Sequence, residues 1–165
     1  MTPLAPAWRK ALLVLHVAIS VGLMGAVAAF LLLAVVGNAT GDGGRAAIVY
    51  PTMDLIARLL IVPLTVVTLA VGILQSLLTR WALLRHWWVV AKLVLSSLTL
   101  GVLLLQIDGI RLASEAVGDA AHFAGLSELR WSFVIHATGG LLVLAIALVL
   151  SIYKPAGRTG WGRTT

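Results

Sequence analysis

The sequence contains no cysteine, which excludes disulfides, thiolate catalysis, iron–sulfur clusters and zinc–thiolate sites. Methionine is limited to Met1, Met24 and Met53, too few to line a thioether path for copper(I). Charge is scarce as well: 11% of the 165 residues are charged, against roughly 25% in a soluble domain. Acids are the scarcer sign, six against twelve bases, for a net charge of +6. No H-E-x-x-H, G-x-S-x-G or Walker loop occurs, and no pair of carboxylates falls inside an apolar run. General acid–base hydrolysis therefore has no evident machinery.

What the chain has instead is apolar length. It is 61% hydrophobic, with mean hydropathy +1.06, and its apolar residues fall in four runs of about 11–36, 54–79, 87–107 and 131–153. Each is long enough to span a bilayer. They predict an all-α polytopic membrane protein, a bundle of four transmembrane helices forming one membrane domain over 1–165. The first run far exceeds the 7–15 apolar residues of a signal-peptide core and reads as a retained helix. Gly37–Gly44 (GNATGDGG) reads as a loop, and its Asn38-Ala39-Thr40 as a chance match to a glycosylation pattern. Asp54 and Arg58 sit one turn apart, placed to pair, and Pro63 predicts a kink. Residues 112–130 are more polar, with apolar residues at helical spacing that predict a short interfacial helix. Lys154-Pro155 ends the last run, and the tail TGWGRTT reads as mobile.

Charge orients the four spans. Arg9, Lys10, Arg80, Arg85, Lys154, Arg158 and Arg163 fall on one side; Arg45, Arg58, Arg111 and Arg130 fall on the other, with all six acids. The positive-inside rule then places both termini in the cytoplasm of a multi-pass protein of the inner (plasma) membrane. Bases spread over the ends of apolar runs argue for the lipid bilayer, not nucleic acid, as partner. The stretch Arg80–Ser97 (RWALLRHWWVVAKLVLSS) carries the surface signature, with Trp81, Trp87 and Trp88 at one headgroup level and Trp131 at the other. Basic residues on the cytoplasmic side suit anionic lipid, at roughly 1 kcal/mol each near the surface.

Polar residues inside spans are the candidates for function. At about 1.5 Å per residue, His16 and Lys92 each lie roughly 9 Å inside the cytoplasmic end of their helices. Ser20, Gln75, Ser76 and Ser96 share that layer. His136 belongs to the opposite leaflet, level with Asp54, Arg58 and Asp108, so it cannot share a metal with His16. The candidate cofactor-binding residues are thus His16, Lys92 and His136, with His16 also the candidate metal ligand. Each has a plainer reading: Lys92 snorkels to the headgroups, and His16 and His136 bond a neighbouring helix. His86 then lies at the surface, and His122 is solvated. Ala18, Gly22 and Ala26, and Gly139 with Gly140, are small-residue faces that let helices approach within the bundle or in a homo-oligomer.

The stretches LHVAISVGLMGAVAAFL, QSLLTRWALLRHWWVVAKLVL and VIHATGGLLVLAIALVLSIYKPAGRTG resemble a group of uncharacterised four-helix bacterial membrane proteins, many actinobacterial, grouped with the copper-resistance-D-like proteins. The chain is also distantly similar to the HemJ-type membrane protoporphyrinogen oxidases. These carry an important histidine on an early helix and a lysine on a later one in a W-x-x-x-K-L context. The matching positions are His16 and, within WWVVAKL, Lys92; the arginine- and tyrosine-rich stretch preceding that histidine in the family has no counterpart here. The resemblance implies haem b, with His16 as axial ligand, Lys92 as second ligand or propionate partner, and a redox or haem-handling role. The residues alone leave two other roles open: a non-catalytic bundle acting through partner or self association, and a small proton-coupled transporter using Lys92, His136 and the Asp54/Arg58 pair.

Overall fold

The computed structural model describes residues 5–39, 43–78 and 83–160, and no strand occurs among them. Readings that fall on Thr40, Asp42, Arg80, Trp81 and residues 161–165 lie outside the described residues. Among the described residues, four helical stretches are long and apolar enough to cross a membrane: Pro6–Ala39, Gly43–Leu77, Trp87–Ala116 and Ser127–Tyr153. No more than 22% of each apolar window is buried inside the protein, and large side chains such as Leu59, Leu105 and Ile135 cover the outside. That exterior suits lipid and not water. The protein is an all-α four-helix membrane bundle.

Every helix overruns the apolar run that announces it. The first, α1 (Pro6–Ala39), continues through Gly37 and Asn38, which the sequence assigns to a loop. Gly37 lies beneath the Tyr50 ring, where a Cβ would come within 3.1 Å of Cε2, Cζ and the hydroxyl oxygen. Asn38 Nδ2 donates to Ala34 O (2.8 Å) and Arg130 O (3.1 Å), tying the end of α1 to the fourth span. This commits the Asn38 amide to structure.

The second span starts at Gly43, not Asp54. It comprises α2 (Gly43–Ile56), a π turn over Ala57–Ile61 and α3 (Val62–Leu77). Pro63 cannot donate to the carbonyl four residues back, and its ring crowds that carbonyl. The π turn just before it widens the ladder, with Val62 N–H bonding Ala57 O, while Thr65 Oγ1 bonds Ile61 O at 2.7 Å. The proline is thus absorbed in a continuous span.

The third span, α4 (Trp87–Ala116), runs past Asp108 and Arg111, which do not close it. Arg111 Nε donates to Glu115 Oε1 at 2.7 Å along the helix face, an exposed pair that supports the extension. The expected short helix is present but shorter: α5 (Ala120–Gly125), capped by Asp119, whose carboxylate accepts from Ala121 N and His122 N. The chain then enters α6 (Ser127–Tyr153).

The buried core sits at the end of the bundle that carries the acids, called here the acidic end. Tyr50, Met53, Ile110 and Phe133 are its largest enclosed side chains. Tyr50 meets Phe123 edge-on (centroids 5.1 Å, 76°), and the Arg130 guanidinium lies 4.3 Å over the Phe123 ring. On α1 the buried stripe is Leu23, Ala26, Phe30, Ala34 and Gly37. Of the small-residue face Ala18, Gly22 and Ala26, only Ala26 packs inside, because the stripe follows the helical period through Leu23 and Phe30. Gly140 faces Val27 of α1, where a Cβ would lie 3.9 Å from Cγ1.

The opposite, basic end is closed by the tail. Lys154 ends α6 in the left-handed region (φ 44°). The chain then folds back so that Arg158 pairs antiparallel with His86, and Thr159 N–H bonds Arg85 O at 3.1 Å. Thr159 Oγ1 donates to Leu84 O, and the residue is buried at 6% exposure. The start of the tail is therefore docked, contrary to the reading of a wholly mobile segment.

Candidate functional site

A cavity of about 340 Å³ is lined by residues of α1, the second span, α4 and α6. Leu23, Val27, Phe30, Val102, Gly139 and Val143 are among the residues that line it. At its rim stand Leu98 (61% exposed) and Ile135 (67% exposed), so it opens sideways between α4 and α6 toward the lipid. Gly139 and Gly140 contribute no side chain to fill it.

Among the described residues, the polar ones that line this wall are Thr65, Thr99, Gln106 and His136. The threonines are committed to their own helix backbones, Thr65 Oγ1 to Ile61 O (2.7 Å) and Thr99 Oγ1 to Leu95 O (2.9 Å). His136 and Gln106 differ. His136 Nδ1 lies 2.6 Å from Ser132 O, a contact that only an Nδ1–H can make. The lone pair then resides on Nε2. The Gln106 amide nitrogen is 2.8 Å from Nδ1 and 3.4 Å from Nε2. The Gln106 amide thus reaches both ring nitrogens along one edge of the imidazole, the contact to Nδ1 being the shorter. The pair thus places an imidazole and an amide side by side on an otherwise apolar wall.

Of the three residues singled out from the sequence, His136 alone lines this cavity. Its partner is Gln106, not Asp54, Arg58 or Asp108. Asp54 and Arg58 do form the expected ion pair, Nε to Oδ1 at 2.7 Å. His16 packs on α3 instead: a Cβ at Gly72 would fall 3.2 Å from its Cε1, so the missing side chain is what admits the ring. Its Nδ1 is enclosed, with no hydrogen-bond partner among the described residues. Lys92 sends its ammonium toward the basic end, 3.0 Å from Ser151 Oγ and 4.7 Å from the centre of the Trp88 ring. That is the snorkelling arrangement, completed by a hydrogen bond and a cation–π contact.

Within the polar layer around His16 and Lys92 the side chains bond elsewhere or to their own helix. Ser76 Oγ bonds Ile73 O (2.8 Å), and among the described residues no hydrogen bond joins any two of His16, Ser20, Gln75, Ser76, Lys92 and Ser96. His16 and Lys92 do not fit a haem held between them. The imidazole is wedged against Gly72 with Nδ1 enclosed, the ammonium is engaged elsewhere, and neither residue lines the cavity. No group of three or more His, Asp or Glu side chains suited to a metal occurs among the described residues.

Sequence reasoning missed Gln106 and Ser151. The signal available for Gln106 was a neutral amide in an apolar run, level with His136 on a neighbouring span. Ser151 stands 59 residues from Lys92, and nothing local announces that contact. Compared with family models, with curated proteins and with solved structures, the chain matches none of them. Function therefore rests on the chemistry of the site.

Proposed function

We propose that this protein is a non-catalytic, multi-pass receptor or carrier in the plasma membrane that binds a lipid-soluble alcohol or quinol in its lateral cavity. The observation that carries this reading is the Gln106–His136 pair set in an apolar wall open to the bilayer. A hydroxyl beside them can donate to His136 Nε2 and accept from the Gln106 amide N–H. The rest of such a ligand is apolar and enters from the lipid between Leu98 and Ile135. The volume, about 340 Å³, lies at the small end of known ligand pockets, which run from about 300 to 1,000 Å³. Seven bases on the side of the termini and every acid on the other support cytoplasmic termini.

The test is organic extraction of detergent-washed protein followed by mass spectrometry. Wild type is expected to yield a hydroxylated lipid-soluble molecule that Val102→Phe, which fills the cavity, does not retain and that His136→Leu retains weakly. Phospholipid alone, equal in all three, contradicts the reading. Self-association is a second reading, favoured by the outward position of Ala18 and Gly22 on α1, with nothing within 4 Å of a Cβ built at Gly22. Cross-linking in native membranes that yields only monomers removes it.

A further inference from the structure

The cavity has a position along the membrane as well as a lining. From Trp87 to Asp108, α4 rises about 32 Å, close to the roughly 30 Å of a hydrocarbon core. Trp87 is largely exposed and suits one headgroup boundary, and the exposed charge of Asp108 suits the other. On this scale Leu98 lies at the bilayer centre, whereas Gln106 is only about 3 Å from the level of Asp108. The antiparallel α6 agrees: His136 lies about 8 Å inside Trp131, and Leu144 about 20 Å inside it. Leu98, Gln106, His136 and Leu144 all line the cavity, which therefore occupies the half of the membrane nearer the acidic end.

Its polarity is one-sided. The imidazole and the amide stand on the boundary side, about 12 Å along the helix axis from the leucines at the bilayer centre. Near those leucines the polar lining residue is Thr99, whose hydroxyl donates to Leu95 O, just as Thr65 donates to Ile61 O. Neither threonine has a proton left to give. A hydroxyl taken into hydrocarbon is costly without a partner, so a ligand's head goes to Gln106 and His136 and its apolar part to the leucines. An amphiphile of the acidic-end leaflet already has that posture, with its head at the boundary and its chain toward the centre. The rim residues Leu98 and Ile135 are both exposed, and between them such a molecule enters sideways without turning over.

Given the ligand reading above, on which this rests, we infer that the cavity receives a one-headed, single-chain amphiphile from the acidic-end leaflet. Its hydroxyl lies at Gln106 and His136, and its apolar chain points toward Leu98 and Leu144 at the bilayer centre. A volume of about 340 Å³, small for a ligand pocket, suits one chain and not a two-chain phospholipid.

The test uses the full chain in nanodiscs with two photoreactive decanols, one bearing its diazirine beside the hydroxyl and the other at the chain end. Cross-linked residues are mapped by peptide mass spectrometry, and only labelling that excess 1-decanol removes is counted. The hydroxyl-side probe is expected to label around Gln106 and His136, and the chain-end probe around Leu98 and Leu144. The opposite pattern, or the same residues labelled by both probes, overturns the posture and the leaflet while leaving a ligand site in place. A diol, 1,10-decanediol, carries a second hydroxyl to the apolar end. It is expected to compete about ten-fold less well than 1-decanol, a difference within the cost of burying an unpaired hydroxyl. Equal competition overturns the one-headed shape. Labelling by both probes that no excess of 1-decanol removes is bulk lipid, and it removes the ligand reading and the posture with it.

Discussion

Gly37→Ala isolates the contact on which the acidic-end core turns. The new methyl carbon would lie 3.1 Å from three atoms of Tyr50, against an ordinary carbon–carbon contact of about 3.5–4.0 Å. Tyr50 is fully enclosed (0% exposed) and braced edge-on by Phe123, so the ring has no free direction in which to yield. Overpacking of this kind costs about 1–3 kcal/mol. Against it stands the gain of replacing glycine by alanine inside a helix, up to about 1 kcal/mol. The control is Gly25→Ala on the same helix, where nothing lies within 4 Å of the new carbon. Both variants share the helix-propensity gain, so the difference between them, about 1–3 kcal/mol, is the packing cost alone. In a thermal melt in detergent, about 1 kcal/mol corresponds to roughly 2–4 °C for a chain of this size. Gly25→Ala should equal or exceed wild type, with Gly37→Ala several degrees below it. A Gly37→Ala variant as stable as Gly25→Ala would refute the packing of α1 under Tyr50 and, with it, the extension of both helices through the expected loop.

Other substitutions test the polar residues within the spans. His16→Leu should be neutral to within about 1 kcal/mol in the same melt, because it removes a buried nitrogen that has no partner; a large loss would show that the ring has one. Protein supplied with haem during expression should show no Soret band that disappears in His16→Ala or Lys92→Ala, and a dependent band would restore the haem ligand assignment. Asp54→Asn strands Arg58, whose Nη2 is already buried without a partner among the described residues. It should therefore cost more than the paired change Asp54→Asn with Arg58→Met, by up to about 3 kcal/mol, with the partial exposure of both side chains keeping it below the full cost of a lone buried charge. Equal melts for the single and double variants would show that the pair is solvated. Ser151→Ala should cost about 0.6 kcal/mol, typical of a side-chain hydrogen bond in a membrane bundle, and the loss should disappear when Lys92 is already Met.

The four spans were legible because length and polarity alone decide whether a helix can cross a bilayer. Their ends were not, because tertiary contacts set them. Gly37 and Asn38 read as loop residues until Tyr50 covers one and the Arg130 carbonyl accepts from the other. The stretch Gly43–Met53 hides its helix behind Pro51 and mixed polarity, yet buries Ala46, Val49, Tyr50 and Met53 on one face. The Asp54–Arg58 pair was readable since it is local to one helix turn. Depth along each span placed His16 and Lys92 at one level, but depth is one coordinate of three. It does not tell which way a helix is rotated, and rotation sends His16 to Gly72 and Lys92 to Ser151. His136 stands out in the sequence as an imidazole inside an apolar run, whereas Gln106 acquires meaning only from its contact with His136.

Photo-cross-linking in native membranes tests ligand binding by the cavity most directly. A diazirine-bearing side chain at Val102, on the cavity wall, is compared with one at Val94, which is 59% exposed on the same helix and does not line the cavity. Position 102 should capture one discrete hydroxylated molecule that is not a phospholipid, and position 94 only bulk lipid. The same phospholipid at both positions would contradict a ligand site and leave the space between α4 and α6 as a lipid-filled crevice.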